Sequence, residues 1–289
     1  MLVSTLEPCI QTSHSIIQVF RNQTSYTRFW DGRNHVSVIC TSIRNLTRSF
    51  LACSTDAINS PKRDAELADT EYIVKILIAM LYSLKFHLRG EWGAYANRTK
   101  HRRRPSISQD SPPEYTELMP PGLTMLDDRG VGVTLQLAIL VEEYIKRGYR
   151  RDWWNAPQSS QLSSQLNTLV TAYGATETIR LTQVPVSHLI HQKQVLALFG
   201  ALLPFAIVTD LGWWTVPITT AIAFTLYGID GIASQLEDPF GFDRVDIPLD
   251  SIVEDMRREI LVLLDEWKAV CLEASDHKDE RKHWFTYHT

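Results

Sequence analysis

Residues 194–236, which read QVLALFGALLPFAIVTDLGWWTVPITTAIAFTLYGIDGIASQL, decide the fold. Asp210 and Asp230 are the only charged side chains in this segment. They leave two uncharged runs, sixteen residues at 194–209 and nineteen residues at 211–229. About 20 helical residues span the ~30 Å hydrocarbon core of a bilayer, so each run is near the length of one crossing. The segment therefore predicts a transmembrane helical hairpin, which we place at residues 189–231.

The break between the two runs has the composition of a turn at a membrane surface. Residues 209–212 combine a charge with a flexible glycine, and Trp213 and Trp214 carry amphipathic rings that prefer the headgroup level. The turn has no basic residue, whereas basic residues flank both ends of the hairpin: Arg180, Lys193, Arg244, Arg257 and Arg258. Because basic residues favour the cytoplasmic side, we predict that both ends are cytoplasmic and that the turn faces outward.

A buried helical pair in the core of a water-soluble protein is the alternative. The first run is short, and Pro204 and Pro217 interrupt the two runs. Prolines are nevertheless tolerated in membrane helices, where neighbouring groups satisfy the freed backbone carbonyls. The length criterion favours the membrane hairpin.

Outside the hairpin the composition is that of an ordinary polar protein. The 289 residues carry a net charge of −4 with 21% charged residues, which gives no nucleic-acid signature. The first residues lack a basic segment followed by a continuous apolar one, so no secretory signal peptide is predicted. The cysteines lie far apart, without the spacing of a zinc site or of a disulfide framework: Cys9, Cys40, Cys53 and Cys271.

Apolar residues recur at spacings of three and four in five further segments, which predicts an all-α protein. The predicted helices cover about 22–53, 65–90, 129–148 and 158–175, and a fifth ends near 270. Ser251 and Glu254 have capping-box spacing at the start of the fifth. The apolar faces are Val36, Ile39, Ile43, Leu46, Phe50 and Cys53; Ile73, Ile76, Met80, Leu84 and His87 or Leu88; Leu137, Leu140, Val141 and Tyr144; Leu162, Leu166, Leu169 and Tyr173; and Ile252, Met256, Ile260, Leu263, Trp267 and Val270.

Residues 97–121 are rich in proline, serine and charge, and they bury too little apolar area to hold a fixed structure. They predict a mobile cytoplasmic loop. Its basic run at 98–104 could bind anionic lipid, act as a nuclear localisation signal or present Ser106 to a kinase. A solvated loop that no specific partner recognises is favoured over these roles. The polar residues 271–289 predict a disordered tail.

The sequence contains no glycine-rich phosphate loop, no GxSxG elbow and no HExxH helix, so we predict no enzyme. His188 and His191 stand three residues apart, a spacing that can ligate a metal. No carboxylate or cysteine close in sequence completes a ligand set. An interfacial or core histidine pair is therefore favoured over a metal site.

Two motifs at the predicted membrane boundaries identify a family. Residues 20–33 read FRNQTSYTRFWDGR, and residues 235–250 read QLEDPFGFDRVDIPLD. They resemble the FRNxxxYxRxxEAR and (Q/E)xE(D/N)PFGxxxxDLPLD segments of the bestrophin family of anion channels, in its bacterial and fungal branches. With Val184, Pro185 and the hairpin, the resemblance covers about residues 16–265. It implies an all-α membrane protein with a transmembrane hairpin and a helical cytosolic bundle.

The resemblance implies a homopentamer that passes chloride and other small anions through a central pore. In that family an apolar neck lies in the membrane, and a second constriction lies in the cytosolic vestibule. Ile16 and Phe20 match the neck, although Thr12 stands where the family has an apolar residue. Val184, immediately before Pro185, matches the lower constriction. Ordinary packing is the alternative role of the three apolar residues.

The acidic segment that follows the hairpin has two interpretations. The resemblance puts four residues at the ligand positions of the calcium clasp of animal bestrophins: Gln235, Asp238, Asp243 and Asp246. Their oxygen donors suit a hard cation. The animal clasp also takes a ligand from the N-terminal arm of a neighbouring subunit, an arm that we expect to be absent here. We therefore favour a structural turn in which Pro239 and Gly241 fix the backbone and the acids pair with arginines.

Nineteen residues precede Phe20, fewer than the resemblance implies. We expect one membrane crossing to be absent and residues 1–21 to be a shortened pore-lining helix. A cytosolic helical region at 22–188 follows, and an acidic turn with a C-terminal helix occupies 232–270. The predicted function is a chloride channel subunit without a cofactor, in the plasma membrane or else an organelle membrane. The alternative is a non-conducting, membrane-anchored interaction subunit.

Overall fold

A computed structural model describes the backbone of residues 2–54, 63–89, 132–182 and 184–276, and the side chains of these residues except 2–18, 63 and 272–276. The basic run at 98–104, Ser106 and residues 277–289 of the tail lie outside the described residues. The described residues form α-helices and no β-strand, as predicted. The helices are α1 (Leu2–Ser54), α2 (Arg63–Arg89), α3 (Val133–Arg150), α4 (Ala156–Leu181), α5 (Val186–Leu211), α6 (Thr215–Gln235) and α7 (Leu249–Asp276), with a 3₁₀ turn at Gly212–Trp214 between α5 and α6.

The chain divides into two compact units. Unit 1 comprises Met1–Asn34 and Thr178–Ile247, and unit 2 comprises His35–Glu177 and Pro248–Thr289. Helices α1 and α4 each contribute residues to both units. The boundaries that we expected at residues 22 and 188 lie inside α1 and α5, because both helices continue through these positions.

Helix α2 is the central helix of unit 2. Residues 76–84 are buried on every face, which is typical of a helix enclosed by other helices. It contacts α3 and α7. Phe50 of α1 packs edge-on against Tyr144 of α3 with ring centroids 4.8 Å apart. Unit 2 is therefore a helical bundle whose core is built from α1, α2, α3, α4 and α7.

Most of the predicted apolar faces are confirmed. The faces of α2 and α4 are buried, with Leu88 rather than His87 in the core, and that of α1 is buried except for the half-buried Cys53. The face predicted for α7 is confirmed at Met256, Ile260 and Trp267, which are buried, but not at its other three positions. Ile252 and Leu263 are half-buried, whereas their neighbours Val253 and Leu264 lie in the core.

Several helix ends differ from those predicted. The helix expected at 1–21 and the one predicted at about 22–53 form a single helix, α1, from Leu2 to Ser54, and α4 continues to Leu181 instead of ending near 175. Helix α7 begins at Leu249, with the Ile252 N–H donating to the carbonyl oxygen of Pro248 at 3.1 Å. Ser251 consequently lies inside the helix, and the capping box predicted there is wrong.

A capping box does form at the start of α4. The backbone N–H of Asn155 donates to Oε1 of Gln158 at 2.9 Å, and the N–H of Gln158 donates to Oδ1 of Asn155 at 2.9 Å. This reciprocal pair satisfies two N–H groups at the helix start.

The apolar segment of unit 1 folds as a helical hairpin. Gly212 ends α5 with a φ of 51°, a left-handed conformation that glycine adopts without strain. Helices α5 and α6 contact each other. A cavity of about 500 Å³ near the turn is lined by residues from both helices: Pro204, Phe205, Val208, Gly212, Trp213, Thr215 and Val216. In one continuous helix, Pro204 and Val216 would be about 18 Å apart at 1.5 Å per residue. Because both residues line this one cavity, the chain turns back between them.

The surface of the hairpin is apolar and uncovered. Among the described residues, Val186–Gln235 is the segment long and apolar enough to cross a membrane, and only 6% of its most apolar window is buried. Phe205, Trp213 and Phe224 are 78%, 92% and 81% exposed. Monomeric water-soluble proteins rarely expose so large an apolar patch. The alternative of a buried helical pair is therefore wrong, because these side chains have no protein core around them.

Candidate pore and boundary site

The first motif lies on α1, where helical geometry separates an exposed residue from a buried one. Phe20 is 62% exposed, whereas the next residue, Arg21, is 6% exposed. Successive residues of a helix are rotated by about 100°, so the two side chains leave α1 in different directions. Ile16 lies on α1 one turn before Phe20, and its side chain is outside the described residues.

Arg21 forms an ion pair with Asp230 of α6. The two side chains are 7% and 18% exposed, so both charges are largely removed from water. An ionised carboxylate in an apolar helix is costly unless a cation faces it. The pair therefore explains how Asp230 is accommodated near the end of the apolar segment.

The two sequence motifs pack against each other at Gly32. A Cβ atom on this glycine would lie 3.1 Å from the Phe240 ring, 3.3 Å from Pro239 and 3.5 Å from Ile247. Phe240 is only 1% exposed. A side chain at position 32 would push the acidic segment away. Glycine at this position therefore lets α1 approach the acidic segment closely.

Arg28 joins α1 to two other segments of unit 1 through main-chain carbonyls. Its guanidinium donates to the Thr182 oxygen at 2.6 Å, the Ile179 oxygen at 2.7 Å and the Glu237 oxygen at 3.3 Å. The first two oxygens lie at the end of α4, and the third lies at the start of the acidic segment.

Val184 occupies the short connection between α4 and α5. It is half-buried and has no helical structure, and Pro185 precedes the first residue of α5. A residue before proline is driven out of the helical region by contact with the proline ring. The Pro185 carbonyl then accepts the His188 N–H at 2.9 Å and so begins α5. Val184 thus lies in the non-helical connection that precedes α5.

The acidic segment is a turn held by its own backbone. The Ile247 N–H donates to the Pro239 carbonyl at 3.0 Å, and the Asp243 N–H donates to Oδ2 of Asp246 at 2.7 Å. That same Oδ2 would lie 2.5 Å from a Cβ atom on Gly241. The Asp246 carboxylate therefore packs over a glycine and bridges the turn.

The four residues matched to the calcium clasp lie at the end of α6 and in the turn that follows it. Gln235, Asp238 and Asp243 are exposed, and Asp246 is half-buried. Calcium takes six to eight oxygen ligands. No group of three or more His, Cys, Asp or Glu side chains that could hold a metal ion occurs in the part of the chain that the structure describes.

Comparison with known proteins assigns the arrangement to a family. The family model described as "Bacterial/Fungal Bestrophin protein" matches residues 5–262, nearly the whole chain. The chain belongs to the bestrophin family. A voltage-dependent anion channel-forming protein of Nostoc sp., alr2987, is 33% identical over 245 residues, which are 85% of this chain and 72% of the relative. A protein of the same description from Synechocystis sp., sll1024, is 31% identical and covers 88% and 76% of the two chains.

Solved structures agree with this assignment. The crystal structure of a bacterial bestrophin homologue from Klebsiella pneumoniae matches with a TM-score of 0.70 and 25% sequence identity. The match covers 89% of this chain and 86% of that one. The fold is therefore that of a bestrophin membrane protein, in a family of channels rather than of enzymes.

Within this bestrophin fold, two arginines of the first motif have partners that the sequence analysis did not assign. Arg21 pairs with Asp230, and Arg28 binds carbonyl oxygens. The charge of Asp230 inside an apolar run was the available signal, because such a carboxylate requires a partner. Backbone carbonyls carry no sequence signal, so the contacts of Arg28 had none.

His188 has a hydrogen-bond partner on its own helix. Nε2 of His188 lies 3.0 Å from Nε2 of Gln192, one turn further along α5. His191 is exposed. Neither histidine belongs to a group of metal-ligating side chains within the described ranges.

Proposed function

We propose that the chain is a subunit of an anion channel that passes chloride and other small anions down their gradients through a homopentameric pore. The observation that carries the proposal is the family match over residues 5–262, together with relatives described as voltage-dependent anion channel-forming proteins. Ion movement of this kind needs no cofactor, and we assign no enzymatic activity.

Ile16 and Phe20 line the neck of the pore. The exposure of Phe20 supports this role, because its ring is free to face an axis shared with other subunits. Arg21 points elsewhere and is neutralised by Asp230, so the surface around Phe20 stays apolar. Five such rings form a hydrophobic constriction that gates by losing its water.

Val184 forms the lower constriction. Its position on the short non-helical connection between α4 and α5 supports this role. Five valines around one axis make an apolar aperture through which an anion passes with part of its hydration shell removed.

The hairpin anchors each subunit in the membrane as two crossings, α5 and α6. The exposed aromatic and aliphatic side chains of the hairpin face lipid, and Trp213 and Trp214 lie at the outer interface. The flanking basic residues put both ends of the hairpin in the cytoplasm. The plasma membrane is the membrane that we propose.

The acidic segment acts as a structural turn. Its backbone hydrogen bonds and the packing of Phe240 against Gly32 support this role without a bound ion. Removal of calcium with a chelator should consequently leave the conductance unchanged.

Chloride flux from liposomes tests the proposal. Purified wild-type protein should release chloride, and Phe20→Asp or Val184→Asp should abolish the release because an acidic ring repels anions at a constriction. Val262→Asp is the matched control, since Val262 is 60% exposed on α7, outside both constrictions. Intact oligomers without wild-type flux would support a non-conducting membrane-anchored subunit instead.

A further inference from the structure

Arg28 stands on the same helix as Phe20, eight residues further along α1. At 1.5 Å per residue this separation is about 12 Å. The carbonyls of Ile179 and Thr182, which accept two of its hydrogen bonds, precede Val184 by five and two residues. One side chain therefore connects the helix of the proposed neck to the chain that leads into the proposed aperture.

The chemistry at the end of α4 suits a guanidinium. The last carbonyls of a helix have no N–H partner within the helix, and they carry the negative end of the helix dipole. A basic side chain can satisfy them. Arginine presents several N–H groups in a fixed planar fork, so it fixes direction as well as distance. The Arg28 guanidinium donates to the Thr182 and Ile179 oxygens at 2.6 and 2.7 Å, so one side chain satisfies both carbonyls at the same time.

We propose that Arg28 is a positioning residue for the Val184 aperture, holding the end of α4 at a fixed place on α1. The inference rests on the proposed channel function. The third bond, to the Glu237 carbonyl, attaches the start of the acidic segment to the same guanidinium. Without the hydrogen bonds of the guanidinium, the connection at Val184 is no longer held against α1. Phe20 is part of α1 and keeps its position.

Arg28→Lys is the informative substitution. It retains the positive charge, but an ammonium is a point donor that cannot reproduce the planar fork. Arg44→Lys is the matched control on the same helix, because Arg44 contacts the Glu259 carboxylate on α7 and no part of the aperture.

Permeability ratios give the first test. A narrow ring of side chains discriminates between ions of different size and hydration. Arg28→Lys should therefore change the thiocyanate-to-chloride permeability ratio by about threefold, a typical coupling for residues that act on each other. The same substitution should have no effect on the ratio in a Val184→Ala background, where the valine ring is already gone. It should keep its effect in a Phe20→Ala background.

An unchanged ratio, or an equal change with and without Val184, overturns the inference while leaving the channel proposal intact. Absence of any wild-type current overturns the channel proposal, and with it the role of Arg28 at an aperture. The two failures are thus distinct.

Cysteine labelling gives a second test that needs no current. In Val184→Cys protein, the rate of maleimide attachment at position 184 should change by about threefold when Arg28→Lys is added, for the same reason. It should stay the same when Arg44→Lys is added. Peptide-resolved mass spectrometry separates this site from the four native cysteines, Cys9, Cys40, Cys53 and Cys271. Equal rates in all three proteins would show that Arg28 does not position the aperture.

Discussion

Asp230 shows how one charged residue is tolerated in a segment built for lipid. Its carboxylate meets Arg21, which lies 209 positions earlier in the sequence. Breaking such a buried pair leaves an uncompensated charge, whereas the intact pair is close to neutral in free energy. The pair therefore contributes more to the correct packing of α6 against α1 than to the net free energy of unfolding.

Asp230→Asn should destabilise the solubilised protein by about 3 kcal/mol, because Arg21 would keep its charge without a carboxylate partner. Thermal unfolding followed by circular dichroism measures the effect. Asp210→Asn is the matched control, since Asp210 is exposed at the hairpin turn. Equal losses for the two variants would contradict the role assigned to the ion pair.

Gly148 on α3 gives a second residue-scale prediction. A Cβ atom there would overlap the indole of Trp154, which is held by a hydrogen bond from Nε1 to the Ile145 carbonyl at 3.0 Å. Gly148→Ala should therefore cost about 2 kcal/mol through overpacking. Gly174→Ala in α4 meets no atom within 4 Å and should gain about 0.5 kcal/mol from helix propensity. The unfolding temperature of each variant relative to wild type shows whether Gly148→Ala lowers stability and Gly174→Ala raises it.

At the scale of elements, the start of α4 depends on Asn155. Asn155→Ala removes the side-chain acceptor for the Gln158 N–H and should cost about 1 kcal/mol. Ser160→Ala, at an exposed position of the same helix, should have little effect. A comparable loss in both variants would mean that the capping box does not stabilise the helix start.

The helices themselves could be predicted because their apolar faces repeat at helical spacing. One side of the α7 face could not be fixed, since Ile252–Val253 and Leu263–Leu264 are adjacent apolar pairs whose two members point about 100° apart. Only packing against α2 selects between them. Periodicity did not predict the first part of α1, because residues 1–15 have no apolar stripe, and the helix expected there came from the family resemblance.

The contacts that assemble the site are long-range and mostly involve backbone. Arg28 and the carbonyl of Glu237 are 209 positions apart, and Gly32 meets Phe240 only because the acidic segment folds back on α1. Family resemblance located the motifs, but no pattern of spacing predicts which carbonyls a guanidinium will reach.

At the scale of the whole molecule, stability should fall in acid. Hydrogen bonds from Arg89 and from Lys85 hold the pKa of Asp250 below its ordinary value of 3.8. Burial alone would raise the pKa of Glu71, but Lys268 and Lys75 bring it below 4.5 overall. A carboxylate with a lowered folded-state pKa stabilises the fold above its unfolded value, and that contribution is lost as pH falls through the folded value.

The unfolding temperature should consequently drop as the pH is lowered below about 4. Asp250→Asn should flatten part of this dependence, whereas Asp265→Asn, an exposed position on the same helix, should not. Identical pH profiles for wild type and Asp250→Asn would contradict the assignment.

The central claim is that several copies of this chain surround one pore in a membrane. Native mass spectrometry of the detergent-solubilised complex tests it most directly. We predict a species with five times the 33.0 kDa mass of the chain. A folded protein that remains at 33.0 kDa would contradict the account, because a single subunit has no axis around which Phe20 and Val184 can form rings.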